Sequence, residues 1–81
     1  MTSVTVRFFA LGRELMGTSE LVLSLPTPTT VQDVIRHITA QHPQLERLPS
    51  FVVAKNAEYA FETDVVENGD ELAIIPPVSG G

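Results

Sequence analysis

An 81-residue chain that is 43% hydrophobic and 19% charged has room for one small domain around a single core, and its apolar runs fall short of the ~20 residues that span a bilayer. The lack of cysteine excludes a disulfide framework, a thiolate zinc site and a cysteine nucleophile. The net charge is −5, and from Asn56 onward six acids stand without a lysine or arginine; this disfavours nucleic acid and anionic membranes as partners and favours a basic protein surface, although a solvated acidic face kept for solubility explains the same charge.

The first predicted element is SVTVRFFA, residues 3–10. Val4, Val6 and Phe8 alternate with Thr5, Arg7 and Phe9, the period of a half-buried strand. LGRELMG contains good helix formers but ends at Gly17, enough for a turn or two. TSELVLSL follows, with Leu21, Leu23 and Leu25 in step, as a second strand antiparallel to the first. Pro26 and Pro28 then break pairing. Thr30 with Asp33 three positions on is a variant capping box, and Val31, Val34, Ile35 and Ile38 form the apolar stripe of the main helix. His42-Pro43 stops it. FVVAK, residues 51–55, is a third strand with Asn56 as a turn residue; residues 58–62 are expected to pair briefly at an edge. Asn68-Gly69-Asp70 is a turn signal, because Asn-Gly readily takes positive φ. ELAII, residues 71–75, closes the domain as a strand ended by Pro76-Pro77.

One helix among these strands implies an α+β fold with the sheet covered on one face. A near-continuous apolar run suits a buried central place for the last strand, beside the first. The layout is that of a β-grasp, ubiquitin-like roll: a mixed sheet of about five strands packed on one main helix, residues 1–75, with an extended tail over residues 76–81. If Val4, Val6 and Phe8 face the helix, then Leu72 and Ile74 do too, which leaves Ala73 and Ile75 beside Phe9 on the uncovered face. That pairing makes a candidate partner-binding patch.

Conventional catalytic groups do not assemble in this pattern. His37 and His42 are five apart, not the four that would place two ligands on one helical face; the expectation is a solvated His37 and a helix-terminal His42. Gly12 and Gly17 stand alone, outside any phosphate-loop pattern. Asp64, Glu67, Asp70 and Glu71 lack calcium-loop spacing. No metal site is expected. The beginning, MTSVTVRFF, has neither a basic leader nor a cleavage site, so a cytoplasmic protein is expected.

Chemistry concentrates instead in PPVSGG, residues 76–81. Pro76 and Pro77 lack N–H groups and favour polyproline II geometry, ending the ladder and projecting the chain outward. Beyond Val78 and Ser79, Gly80 and Gly81 present only backbone, so they can thread a tunnel too narrow for other residues. A carboxylate on Gly81 is ionised near neutral pH. Adenylation would make it an electrophile, open to sulfur, giving a thiocarboxylate, or to a lysine amine, giving an isopeptide bond.

VRFFALGRELMG, TTVQDVI, AKNAEYA and ENGDELAIIPPVSGG together resemble the small subunits of molybdopterin synthase, the MoaD-like sulfur carriers of the ubiquitin-like superfamily, over essentially the whole chain. The resemblance implies that a ubiquitin-activating-like adenylyltransferase adenylates Gly81 with ATP. A sulfurtransferase then leaves a thiocarboxylated glycine there. It implies entry of the tail into a large catalytic subunit, where two sulfur transfers build the molybdopterin dithiolene from cyclic pyranopterin monophosphate. The protein would be a sulfur donor, not an enzyme on its own, in a heterotetramer of two small and two large subunits, with no tightly bound cofactor. Docking through an apolar sheet face matches Phe9 and Ile75, and adds Tyr59, which stands where an aliphatic residue is more familiar. Three other readings are a protein modifier conjugated to lysines, a sulfur carrier for another thiolation pathway such as thiamine synthesis, and a plain interaction domain whose tail is inert.

Overall fold

Alternating side chains build the centre of the sheet. β1 (Thr2–Phe8) buries Val4, Val6 and Phe8, while Thr5 and Arg7 take the other side. The strand stops two residues before the predicted end. Phe9 keeps extended backbone (φ −127°, ψ 153°) but serves as N-cap of α1 (Ala10–Met16), and Ala10 at φ 50° turns the chain out of the sheet. Gly17 at φ 72° closes α1 by donating its N–H to Arg13 O, the left-handed end that glycine accepts without steric cost. This computed structural model describes residues 1–76; the tail positions Pro77, Val78, Ser79, Gly80 and Gly81 lie outside the described residues.

β2 (Glu20–Leu25) returns antiparallel to β1, pairing Arg7 with Glu20 through to Thr2 with Leu25. After the prolines, β3 (Thr29–Thr30) pairs antiparallel with β6 (Val65–Val66) in a small separate ladder. Two-residue strands carry no readable periodicity, and the sequence did not predict this one. It fixes the start of α2 (Val31–Gln41): Val31 N–H donates to Asp64 O and Gln32 N–H to Glu62 O, both at 3.0 Å. The capping box forms as expected, with Asp33 N–H donating to Thr30 Oγ1 at 3.3 Å and Thr30 N–H to Asp33 Oδ2 at 3.0 Å. Val31, Val34 and Ile38 are buried and Ile35 packs against them. His42 caps the helix end, and Pro43–Arg47 forms an unanticipated 3-10 turn that buries Leu45. His37 is half-buried, not solvated as expected.

β4 (Val52–Lys55) joins β5 (Glu58–Tyr59) through Asn56 at φ 49° and Ala57 at φ 71°. Both turn residues have positive φ, the geometry of a primed two-residue hairpin turn that matches strand twist. The edge pairing expected within residues 58–62 is this strand. β7 (Asp70–Ile75) is entered by a turn that closes with Asp70 N–H on Glu67 O at 3.0 Å; the positive φ falls on Gly69 alone.

The large sheet runs β2-β1-β7-β4-β5, with β1 and β7 parallel and the other neighbours antiparallel. β7 takes the central position that its apolar run requires, and Leu72 and Ile74 are fully buried against α2's side of the sheet. The fold is the expected α+β β-grasp roll, with α1 as a second short helix.

Candidate docking face at the end of the central strand

Strand register assembles the uncovered face. Arg7 stands opposite Ala73, Ala73 opposite Ala54, and Ala54 opposite Tyr59; directly opposed residues share a face. One step along, Ile75 stands opposite Val52. The core residues Phe8, Ile74 and Val53 form the matching row on the other face. The predicted segregation of Ala73 and Ile75 from Leu72 and Ile74 therefore holds.

Phe9, Tyr59 and Ile75 meet around a shallow cavity of about 380 Å³, which Ala54, Ala57, Ala73 and Glu71 also line. The alanines explain the depression: three short side chains lie between larger groups. Phe9 is 44% exposed and Tyr59 82% exposed, whereas Ile75 and Pro76 are half-buried. Two aromatic side chains with that much surface in water, beside the strand that leads toward residue 77, form an apolar surface available to a partner. Of the remaining tail residues singled out from the sequence, Pro77, Val78, Ser79, Gly80 and Gly81 lie outside the described residues.

The surface extends further than the sequence indicated. Val52 is 48% exposed and Phe61 77% exposed. Val52 was readable from its alternation with Val53 in FVVAK; Phe61, between Ala60 and Glu62, carried no periodic signal. A larger groove of about 620 Å³ opens between α2 and β4, with Ile35, Leu48, Phe51 and Val52 among its lining, and Tyr59 belongs to both cavities.

Charge bounds the patch on the β1–β2 side. Arg7 Nε lies 3.3 Å from Glu71 Oε1 and 3.7 Å from Glu20 Oε2, all three side chains being about half exposed. Such solvated pairs add little stability. Lys55 donates from Nζ to Val65 O at 3.0 Å. Asp70 is held below the ordinary carboxylate value of 3.8, first by the Glu67 N–H, then by the Asn56 side chain, with the Lys55 charge contributing less. Among the described residues no three histidine, aspartate or glutamate side chains converge to hold a metal ion, and no helix is long and apolar enough to cross a membrane.

The arrangement is an exposed apolar surface beside the strand that leads toward residue 77. The ThiS family matches residues 6–81. The molybdopterin synthase sulfur carrier subunit of Arabidopsis thaliana is 43% identical over 79 residues, which cover 96% of this chain and 82% of the relative. Among solved structures, SAMP1 of Haloferax volcanii, a small archaeal modifier protein, superposes with a TM-score of 0.89 at 32% identity, covering 98% of this chain and 99% of that one. A chain from the complex of subunits 1 and 2 of the molybdopterin-converting factor of Helicobacter pylori supplies a further likeness of fold: TM-score 0.71 at 23% identity, covering 99% of this chain and 100% of that one. This chain belongs to the ThiS family and groups within it with the molybdopterin synthase sulfur carrier subunits.

Proposed function

We propose that this protein is the sulfur-carrying subunit of a molybdopterin synthase, and that Gly81 is its reagent. The observation that carries this reading is the exposed aromatic surface of Phe9 and Tyr59 beside Ile75, at the end of the strand that leads toward residue 77. A large subunit gripping that surface would receive the following residues, Pro77 to Gly81, directly. The sulfur-carrier relatives, matched along nearly the whole chain, support the same assignment.

In this proposal the Gly81 carboxylate attacks the α-phosphorus of ATP in an activating adenylyltransferase and releases pyrophosphate. A persulfide sulfur then attacks the acyl carbon and expels AMP, and a thiol attacks the outer sulfur of the resulting acyl disulfide, releasing the thiocarboxylate and leaving a disulfide on the sulfur donor. In the synthase, that sulfur is transferred to the pterin precursor. ATP is consumed by the partner and is not a resident cofactor. Glycine at 80 and 81 keeps the approach narrow. The β-grasp domain contributes recognition, and the large subunit contributes catalysis, in an assembly of two small and two large subunits.

Gly81→Ala tests this assignment. It adds one methyl group at the reacting residue and is expected to abolish synthase turnover while leaving thermal unfolding unchanged. Retained turnover would contradict a glycine-only approach to the reacting carboxyl.

The likeness to the modifier SAMP1 supports a second reading, in which activated Gly81 is transferred to lysine amines of target proteins. Incubation with the activating enzyme, ATP, a persulfide-bearing sulfurtransferase and a mixture of target proteins separates the two. A ladder of heavier lysine conjugates identifies a modifier, and their absence with sulfur gained on the free protein identifies a carrier.

A further inference from the structure

Among the described residues, the β2 edge of the sheet has no neighbour on its outer side, and its hydrogen-bond phase can be read from its partner. Phe8 N–H donates to Ser19 O at 2.9 Å, and the ladder continues without a bulge from Arg7–Glu20 to Thr2–Leu25. Hydrogen-bonded pairs alternate with non-bonded ones in an antiparallel ladder. Leu21, Leu23 and Leu25 therefore bond inward to β1, whereas the N–H and C=O groups of Glu20, Val22 and Ser24 point outward. Glu20 is already occupied locally: its N–H donates to Thr18 Oγ1 at 3.4 Å, and the Thr18 hydroxyl donates to its C=O at 3.1 Å. Pro26 has no N–H to offer. The open window is thus Val22 to Ser24.

We propose that this window pairs with the same window of a second copy of the chain, antiparallel, about a two-fold axis at Leu23. In that register Val22 bonds to Ser24 of the other copy and Ser24 to its Val22, giving four backbone hydrogen bonds. Neither Thr18 nor Pro26 is disturbed. The side chains agree with this choice. The two Leu23 residues meet at the non-bonded position, where side chains approach most closely, and Leu21 meets Leu25. Leu21 and Leu23 are half-buried and pack against the core, so a second copy would cover their remaining apolar surface. On the opposite face Val22, 67% exposed, lies diagonal to its counterpart. Residues 21–25 carry no charge, and Glu20 faces Pro26, so no like charges oppose each other. Strands with open edges and no inward charge pair readily. The contact involves only residues 21–25 of each copy, against the roughly 20–30 residues a side of a stable complex, so association is weak and reversible. It forms one ten-stranded sheet and leaves both Tyr59 surfaces free at the far edges.

Sedimentation velocity of the full chain, from about 10 μM to about 1 mM, tests the pairing. The weight-average mass is expected to rise toward twice that of the monomer. Val22→Pro removes only an outward N–H, a position where edge strands tolerate proline, and is expected to stay monomeric throughout. Wild-type protein that remains monomeric, as it would if the edge served only a strand from another protein, overturns the proposal, and so does equal association of the variant. Should the variant unfold, amide exchange on the wild type decides. Exchange at Val22 and Ser24 must slow as concentration rises, while unchanged exchange there contradicts the pairing.

Discussion

Asn56 donates from Nδ2 to Asp70 Oδ1 at 3.0 Å and accepts the Glu71 N–H on Oδ1 at 3.0 Å, tying the β4–β5 turn to the start of β7. Its own N–H donates to Glu71 O at 2.8 Å. The turn that presents Ala57 and Tyr59 is thereby fixed relative to the strand that leads to the tail. Asn56→Ala removes both side-chain bonds and places a β-carbon with no local hydrogen bonding at φ 49°. A loss of about 1–2 kcal/mol is expected in denaturant unfolding, with weaker docking of any partner that uses Tyr59.

Asp70 makes part of this tie dependent on pH. The Glu67 N–H, at 2.8 Å from Oδ2, and the Asn56 amide hold its carboxyl below the ordinary 3.8. A folded-state value below the unfolded one means that the carboxylate stabilises the fold above the ordinary value, and that this contribution is lost as pH falls through the lowered one. Wild type should be more stable than Asp70→Asn at neutral pH, and the gap should narrow below about pH 4. Urea midpoints measured across that range check the sign.

Phe9→Asp should move stability and docking in opposite directions. Phe9 occupies the N-cap of α1 in extended conformation and makes no side-chain cap hydrogen bond. Aspartate is a preferred N-cap, so helix and fold should gain about 0.5–1 kcal/mol. The same substitution puts a carboxylate into the apolar patch, where desolvating an unpaired charge opposes binding. Large-subunit affinity should fall at least tenfold, about 1.4 kcal/mol, by calorimetric titration. Unchanged affinity would remove Phe9 from the interface.

Ala57 at φ 71° sits where an L-side chain costs about 1 kcal/mol. Ala57→Gly restores the Asn-Gly pair that primed hairpin turns favour. Unfolded-chain entropy opposes part of the gain, and a net stabilisation of about 0.5 kcal/mol is expected in thermal unfolding.

Gly12 is the opposite case. It is buried inside α1, and an added β-carbon would meet Leu48 Cδ1 at 3.7 Å and Phe8 Cβ at 4.0 Å, ordinary contact distances. Gly12→Ala should therefore stabilise by about 0.5–1 kcal/mol through helix propensity; a loss would mean that α1 cannot accept the contact with Leu48.

Elements with many periodic residues were legible in the sequence. β1, β2, α2 and β7 each show their buried face through spacing alone, and placing Leu72 and Ile74 in the core also put Ile75 on Phe9's side. The β3–β6 ladder and the 3-10 turn at Pro43–Arg47 are too short to have a period; the backbone bond from Val31 to Asp64 helps fix the ladder, and the burial of Leu45 anchors the turn. At the docking face, Phe9 and Ile75 followed from alternation, whereas Tyr59 entered through family resemblance. The cavity required Ala54, Ala57 and Ala73, whose small size matters only once strand register brings them together. Phe61 was missed because an aromatic residue between Ala60 and Glu62, outside any periodic run, gives no spacing from which to infer exposure.

The central claim is that sulfur rides on the main-chain carboxyl of Gly81. Intact-mass spectrometry after incubation with the activating enzyme, ATP and a sulfurtransferase tests it most directly. The account predicts replacement of one carboxyl oxygen by sulfur, localised to Gly81 by fragmentation and lost on turnover with the large subunit. A protein that turns over with its mass unchanged, or that gains sulfur elsewhere, would contradict it.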